Sequence, residues 1–174
     1  MKAREVRNKV IKGLYKYMEI PVYRSDQVSP EEKAPYMVYS VISPYIKGNT
    51  LGHFEVVGLN GEAVEKRGEQ AAMSLSFTAC SQDREDDAGN FLSGEDEAMD
   101  LAEKAQGWFL HAGREWLSTD VVVDSVENVA SRSVLLVDEE ANRYGFDVLL
   151  KYVREDVRPV TTVRIGKSKG EGQN

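Results

Sequence analysis

Few side chains in this sequence have the types and spacing that catalysis or ligand binding requires. Gly166-Lys167-Ser168 resembles the end of a phosphate-binding loop, but Thr161 stands where that loop needs a glycine. His53 and His111 are the only histidines, and neither has a second histidine at the spacing of metal ligands. We therefore predict no nucleotide site, no metal site and no cofactor.

Acidic side chains form two clusters that could hold a cation or act as paired acid and base: Asp83, Glu85, Asp86 and Asp87, and later Asp138, Glu139 and Glu140. The first cluster lacks the alternating ligands and the glycine of an EF-hand calcium loop. The sequence places no second functional group beside the second cluster. We interpret the first as a solvated acidic loop and the second as surface or interface charges, and we predict no catalytic residue.

The composition is typical of a globular protein with one core. Of the 174 residues, 41% are hydrophobic and 29% are charged, which is too apolar for wholesale disorder. No apolar run reaches the roughly 20 residues that a membrane-spanning helix needs. Cys80 is the only cysteine, which excludes a disulfide within the chain and fits a reducing cytoplasm. Alternation predicts that Cys80 lies on the polar face of its strand.

Charge is unevenly distributed along the chain, whose formal net charge is -7. Residues 2–16 are mostly basic, whereas residues 83–103 are mostly acidic. The net acidity argues against broad binding to nucleic acid or anionic membranes, because counterion release needs a basic surface. The polarity suits subunits that meet head to tail, and two solvated faces of a monomer would produce the same pattern.

Hydrophobic spacing predicts two helices that frame the domain. Apolar residues at three- and four-residue spacing predict an amphipathic helix over 3–18, which ends near Glu19 because Pro21 prevents its continuation. Ser93 and Asp96 resemble an N-terminal capping box at the start of the main helix. The apolar positions of that helix are Ala98, Leu101, Ala102, Ala105, Trp108, Phe109, Ala112 and Trp116.

Alternating apolar residues predict a mixed, mainly antiparallel sheet packed against these helices. The predicted strands are a short one at 22–25, a central one at 36–42, a two-faced one at 73–79, one at 121–129 and a long last strand whose inward face covers 144–152. The fold class is therefore α+β, and residues 1–158 are predicted to form a single domain. Residues 159–174 are expected to be a flexible C-terminal tail, since few of them are apolar.

Residues 43–70 are predicted to form a projecting arm. This segment carries five glycines, and Asn60-Gly61 lies between two short strand patterns at 54–59 and 62–66. An Asn-Gly pair is well suited to the positive dihedral angles of a type I′ turn, so the pattern predicts a β-hairpin.

Two stretches of the chain resemble phage neck and tail-terminator proteins. The first runs from Glu97 to Lys104 and into Trp108-Phe109, and the second, from Leu135 to Leu149, reads LLVDEEANRYGFDVL. The order of the elements also agrees, from the N-terminal helix and the stretch at 21–26 to the strand at 76–79 and the Gly-Phe-Asp strand at 145–147. The resemblance covers roughly residues 3–155.

The resemblance implies a small α+β, tail-terminator-like domain that forms a sixfold ring at the top of the phage tail. Such a ring stops growth of the tail tube and presents a surface to the head connector. The expected partners are further copies of the chain, the tail-tube protein and the head-completion protein, while DNA passes through the lumen without specific binding. The expected location is the neck of the virion, after assembly in the host cytoplasm.

Candidate assembly residues come from the predicted hairpin and the family-like block: Phe54, Val56, Asn60, Gly61, Asp138, Glu139 and Arg143. The acids Asp83, Glu85, Asp86 and Asp87 are candidates for the lumen wall, where like charge would repel DNA.

Two other function classes stay open. A ligand-binding or regulatory α+β domain, or an enzyme, would show convergent polar groups in a deep pocket that forms only in three dimensions. A nucleic-acid-binding protein would use the basic N-terminal helix and would show a salt-dependent affinity for DNA.

Overall fold

The computed structural model describes residues 1–29, 32–59, 62–133 and 141–160. The helices are Ala3–Met18 (α1), Gly94–Gly107 (α2) and Arg114–Leu117 (α3), and a π-helical turn, Trp108–Ala112, lies between α2 and α3. The strands are Val22–Arg24 (β1), Tyr36–Ile46 (β2), His53–Leu59 (β3), Glu62–Ser81 (β4), Arg84–Glu85 (β5), Phe91–Leu92 (β6), Val121–Val126 (β7), Ala130–Ser131 (β8) and Asn142–Pro159 (β9). The α+β class, with a mixed and mainly antiparallel sheet against helices, is confirmed.

The main sheet is built around the antiparallel pair β4 and β9. Its strand order is β1-β2-β4-β9-β7, with β3 added to β4 and β8 added to β9. Among the strand pairs of the described residues, β1 and β2 alone are parallel. The β4–β9 pairing runs without a register shift from Val64 opposite Pro159 to Ser81 opposite Asn142, so each strand satisfies the other's backbone groups along its length.

Two strands are much longer than the sequence predicts. The segments at 62–66 and 73–79, predicted as separate strands, belong to the single 20-residue strand β4. The last strand continues past Tyr152 to Pro159, because its charged residues pair with β4 although they lack apolar alternation. By contrast, β7 ends at Val126, three residues before the predicted end at 129.

The strand predicted as central, β2, is interior over only part of its length. It pairs with β4 on one side, and on the other only Met37 to Tyr39 are covered, by the three residues of β1. Met37 and Tyr39 are buried, whereas Ile42 is 52% exposed. The prediction of a central strand therefore holds where β2 lies between β1 and β4, at Met37 to Tyr39, but apolar residues on both faces do not mean burial on both faces.

The core lies between the helices and one face of the sheet, as predicted. Met73, Leu75, Phe77 and Ala79 of β4 are fully buried, as are Phe146, Val148 and Leu150 of β9. α1 adds Val6, Val10, Leu14 and Met18, and ends at Glu19 with a left-handed φ of 61°. Phe109 reaches the sheet, with its ring centroid 5.0 Å from that of Phe77 and 5.9 Å from that of Phe146.

The main helix is not continuous to Trp116. It begins with Ser93 as the predicted N-cap, whose Oγ accepts from the Asp96 amide at 3.3 Å. The π-helical turn then has more residues per turn than an α-helix, so the residues after it lie at different positions around the helix axis. Ala112 and Trp116, predicted to be buried, are therefore exposed, and Leu117 takes the buried position at 2% exposure.

Two smaller expectations also need correction. Cys80 was predicted on a polar face but is 3% exposed, because burial stops alternating at this end of β4: Ala79, Cys80 and Ser81 are all buried. The acidic segment is not a plain loop, since β5 and β6 form a short hairpin within it. The phosphate-loop-like Gly166-Lys167-Ser168 and almost all of the predicted tail lie outside the described residues. None of the described helices has the length and apolarity to cross a membrane.

Candidate assembly surface

A three-stranded arm extends from the core sheet. We define the arm as β3 together with residues 62–68 of β4 and 154–159 of β9. β3 pairs with β4 from His53 opposite Gly68 to Leu59 opposite Glu62, so the predicted hairpin is present. The third strand was not predicted, and it makes the arm a continuation of the core sheet. At about 3.3 Å per residue, the arm is roughly 20 Å long.

The outer strand of the arm carries exposed apolar side chains. Phe54 and Val56 lie on the same face of β3 and are 49% and 63% exposed. Among the described residues β3 pairs only with β4, so the backbone groups of its outer edge have no strand partner. An edge strand of this kind is a template for pairing with another chain.

The same face of the arm carries charges of alternating sign, which we call the charge ladder. Three cross-strand pairs join opposite charges on β4 and β9: Glu65 with Arg158, Arg67 with Asp156, and Glu69 with Arg154. Arg67 Nη1 lies 3.2 Å from Asp156 Oδ2, and the Arg158 guanidinium forms an ion pair with Glu65. Each rung therefore stabilises the register of the two strands.

Glu69 is the buried end of the ladder, where the arm joins the core. It is 5% exposed, and its carboxylate accepts hydrogen bonds from the Tyr45 hydroxyl and from Arg67. The Arg154 guanidinium lies 4.3 Å from the centroid of the Tyr45 ring. The hydrogen bond from Tyr45, followed by that from Arg67, lowers the pKa of Glu69 below its ordinary value despite burial. An ionised Glu69 thus ties the end of β2 to the base of the arm.

The charge ladder was missed by the sequence analysis, although the sequence contains a signal for it. Charges of alternating sign occur at every second residue in 65–69 and again, with the opposite phase, in 154–158. A period of two places such charges on one face of a strand. The strand predictions depend on alternation of apolar residues, which does not detect an alternation of charge.

The structure does not bring the predicted assembly residues together. Phe54 and Val56 lie on the arm, while Asn60, Gly61, Asp138 and Glu139 fall outside the described residues. Arg143 lies opposite Cys80, at the other end of β4 from Glu65, the partner of Val56. The two positions are about 50 Å apart along the strand, at ~3.3 Å per residue.

Two of the four predicted lumen acids hold their own loop together. Asp83 Oδ1 accepts from the Gly94 amide at 2.8 Å, at the start of α2. Asp86 accepts from the Asn90 side chain at 2.9 Å and from the Asn90 and Ala88 amides, and these bonds lower the pKa of its carboxyl. Glu85 and Asp87 are exposed. Neither Glu85 nor Asp87 makes a comparable hydrogen bond among the described residues.

The family-like Gly145-Phe146-Asp147 has a packing role. A Cβ atom at Gly145 would lie 2.3 Å from the carbonyl oxygen of Phe77, so no larger residue fits between the strands. Arg132 crosses β9 at this point, with Nη2 2.6 Å from Asp147 Oδ1 and Nη1 2.5 Å from Ser76 Oγ. Partial burial opposes ionisation of Asp147, but hydrogen bonds from Ser76 and Arg132 keep the pKa of its carboxyl low.

The residues considered for chemistry are dispersed. His53 begins β3 on the arm, and His111 is exposed in the π-helical turn. In residues 1–29, 32–59, 62–133 and 141–160, no group of three or more His, Cys, Asp or Glu side chains has the arrangement of a metal site. A groove of about 300 Å³ runs between the π-helical turn, α3 and β7, and its lining includes Phe109, Leu117 and Val123. Its lining mixes apolar side chains with Arg114 and Asp124, and the Asp124 carboxylate forms an ion pair with Lys151.

Comparison with known proteins identifies the family. A family model described as phage neck terminator protein matches residues 8–173 of the 174. No curated protein matches the chain significantly. A neck terminator is a structural component of a multi-subunit phage assembly in the tail and neck region of the virion, and this role points to a non-enzymatic protein. Because nearly its whole length is matched, and because its fold is α+β with a packed Gly-Phe-Asp strand, the chain belongs to the phage neck terminator family.

Proposed function

We propose that this chain is the subunit of a closed ring of six that caps the tail tube, stops its polymerisation and joins the tail to the head connector. The observation that carries the proposal is the family match over residues 8–173. The arm supports it, because a projecting sheet with an unpaired edge and exposed apolar residues offers a site for a neighbouring subunit.

The experiment that tests the ring is imaging combined with a mass measurement. Negative-stain images of the purified protein at high concentration, or of tail tubes to which it has been added, should show a ring with a central hole. Light scattering should give the mass of the closed ring. A strictly monomeric protein that is also absent from purified virions would contradict the proposal.

In the ring, the arm contacts an adjoining subunit. Phe54 and Val56 are the apolar contacts, and the free edge of β3 is the position for main-chain pairing. Because β4 is continuous through the arm and the core, deleting residues 47–67 would also leave β9 without its partner. Point substitutions on β3 therefore test the contact more cleanly than deletion does.

DNA passes through the lumen of this ring without specific binding. The net charge of -7 and the exposed carboxylates of Glu85 and Asp87 support this part of the proposal. Like charges raise the energy of contact, so DNA slides past an acidic wall instead of adhering to it.

A further inference from the structure

The exposed side of α1 carries a line of basic and aromatic residues, which we call the basic stripe. Arg4, Lys12, Tyr15 and Lys16 are all exposed, with Tyr15 at 57%, and their spacing places them on the side opposite the buried Val6 and Val10. Within the described residues none of the three cations is in an ion pair. Lys12 and Lys16 are four residues apart and repel each other, and Arg4 lies in the first turn, where the helix dipole disfavours a cation.

The exposed side of α2 carries the opposite charge. The acidic stripe consists of Asp96, Met99, Asp100 and Glu103, all exposed and opposite the buried Ala98 and Ala102. Acids in the first turn stabilise a helix, but Asp100 and Glu103 lie beyond it, and each is three or four residues from another acid of the stripe. Phe91, which is 69% exposed, lies beside the stripe in a groove that it shares with Asp96 and Asp100.

Lys104 follows Asp100 by four residues and Lys16 lies 6.0 Å from the centroid of the Trp116 ring, but these contacts offset only part of the repulsion within each stripe. Like charges at this spacing destabilise a helix, and the described part of the chain supplies no ion-pair partner for the cations of the basic stripe or for Asp96, Asp100 and Glu103. The stripes lie on two neighbouring helices, since α1 packs beside β2 and also contacts α2, which lies over β4 and β9. Lys104 of α2 reaches the Tyr17 ring of α1 between the two stripes. A surface of opposite charge on another molecule would relieve both repulsions.

We infer that the basic stripe of one copy docks on the acidic stripe of a second copy. The two stripes carry charges of opposite sign and equal number, three cations and three carboxylates. Tyr15 and Phe91 are the exposed aromatic residues of the contact, and aromatic residues are enriched at interfaces of this kind. The inference rests on the proposed ring, in which each subunit presents its basic stripe to one neighbour and its acidic stripe to the other.

The stripe contact supplies register, and the arm supplies the rest of the interface. The basic stripe spans about 18 Å of α1 and the acidic stripe about 10 Å of α2, at ~1.5 Å per residue. Two helix faces of this length are smaller than the ~800 Å² per partner of a typical stable interface. Charge pairs at a rim mainly set orientation and partner choice, which is the part that we assign to the stripes.

Charge reversal tests the contact. One variant carries Arg4→Glu, Lys12→Glu and Lys16→Glu, and the other carries Asp96→Lys, Asp100→Lys and Glu103→Lys. Each variant alone should self-associate at least about tenfold more weakly than the unmodified chain, because like charges then meet at every contact. An equimolar mixture should recover assembly, since each variant then meets a neighbour of opposite charge. Circular dichroism and light scattering report the folding and the mass.

The matched control is a pair of single reversals that change the net charge equally. Lys12→Glu should weaken self-association, whereas Lys33→Glu, at an exposed position off both stripes, should not.

If both triple variants assemble like the unmodified chain, the stripe contact is refuted while the ring stands. If the mixture forms only dimers, the stripes pair but the ring fails. If the unmodified chain does not self-associate, on tail tubes or in solution, both fail. If the reversed basic stripe loses affinity for DNA and not for itself, the stripe is a nucleic-acid surface and the inference is wrong.

Discussion

Gly13 shows how a residue that weakens a helix can stabilise the protein. It lies in the buried side of α1, where a Cβ atom would be 2.4 Å from Trp116 Cδ1 and 2.7 Å from Trp108 Cζ2. Trp108 is 3% exposed, and Trp116, although 36% exposed, donates from its indole nitrogen to the Lys9 carbonyl at 2.8 Å, so moving either ring loses packing or this hydrogen bond. The absence of a side chain lets α1 approach both tryptophans.

We expect Gly13→Ala to lower the free energy of unfolding. Alanine gains up to ~1 kcal/mol in helix propensity, but overpacking a filled core costs about 1–3 kcal/mol or more. The net loss should be about 1–2 kcal/mol, measured by urea denaturation. Gly107→Ala is the control, because it has helical dihedrals and no atom within 4 Å of the added Cβ. Gly107→Ala should leave the free energy of unfolding unchanged or raise it. A similar gain for Gly13→Ala would show that the indole rings of Trp108 and Trp116 move aside to accommodate the methyl group.

Glu69 should make the arm sensitive to acid. Its pKa is lowered from an ordinary value of 4.5 by Tyr45 and Arg67, so its contribution to stability is fully present above that value. The contribution is lost as pH falls through the lower pKa of the folded state, where protonation breaks the ion pair with Arg67. Protonation at neutral pH is not expected.

We expect Glu69→Gln to reduce the thermal midpoint at pH 7 and to flatten its decline between pH 5 and pH 3. The thermal midpoint as a function of pH measures this, and hydrogen exchange of the arm amides locates it. Glu155→Gln is the control, because Glu155 is an exposed carboxylate of the arm outside the charge ladder. Equal pH profiles for the two variants would mean that Glu69 does not hold the arm.

At the scale of elements, the sequence predicts the core parts of each strand but not their length. Apolar alternation is strong at 73–79 and 144–152, where the helices cover one face, and the inward side chains there are buried except Tyr144, which is partly exposed. None of the described helices covers the arm, and its residues alternate in charge instead of hydrophobicity. Strand extension there depends on the pairing of β4 with β9, which are far apart in sequence. Local patterns carry no information about such a pairing.

The π-helical turn is a second limit of local patterns. A period of 3.6 residues predicts that Ala112 and Trp116 continue the buried face, and the wider turn moves Leu117 there instead. The displaced Trp116 packs against α1 through its bond to the Lys9 carbonyl. The irregular turn therefore exchanges a core position for a contact between helices, which only the tertiary structure reveals.

The exposed apolar side chains of the arm should be dispensable for folding and necessary for assembly. The double substitution Phe54→Ser and Val56→Ser removes two exposed apolar side chains, and exposed positions of this kind change stability by about 0.5 kcal/mol or less. Ring formation should be lost while the thermal midpoint stays close to that of the unmodified chain. Val122→Ser, at an exposed position on the edge strand β7, serves as the control and should assemble normally. Normal ring formation by the double variant would show that Phe54 and Val56 are not needed at the interface between subunits.

At the scale of the whole molecule, function was predicted by resemblance and not by site chemistry. Within the family-like block, Gly145-Phe146-Asp147 lies where a Cβ atom at Gly145 would clash with the Phe77 carbonyl of β4 and where Arg132 crosses the sheet. The residues of this motif are set by packing inside the domain. The motif therefore indicates the family, but it does not predict which residues make contacts between subunits. The assembly residues depend on how copies meet, and no pattern within one chain encodes that geometry directly.

The charge of the whole molecule predicts its behaviour towards DNA. The net charge of -7 opposes approach to a polyanion, while the basic stripe offers three cations. If all three contacted phosphates, the slope of log affinity against log salt would be about -3, at roughly 0.9 per neutralised phosphate. We expect a dissociation constant weaker than about 10⁻⁴ M for duplex DNA near physiological salt, the weak limit of non-specific binding. A fluorescence anisotropy titration of a labelled duplex over a series of salt concentrations measures both quantities. The variant Arg4→Glu, Lys12→Glu and Lys16→Glu should be indistinguishable from the unmodified chain in this assay. Micromolar binding that the variant abolishes would instead assign the N-terminal helix to nucleic-acid recognition.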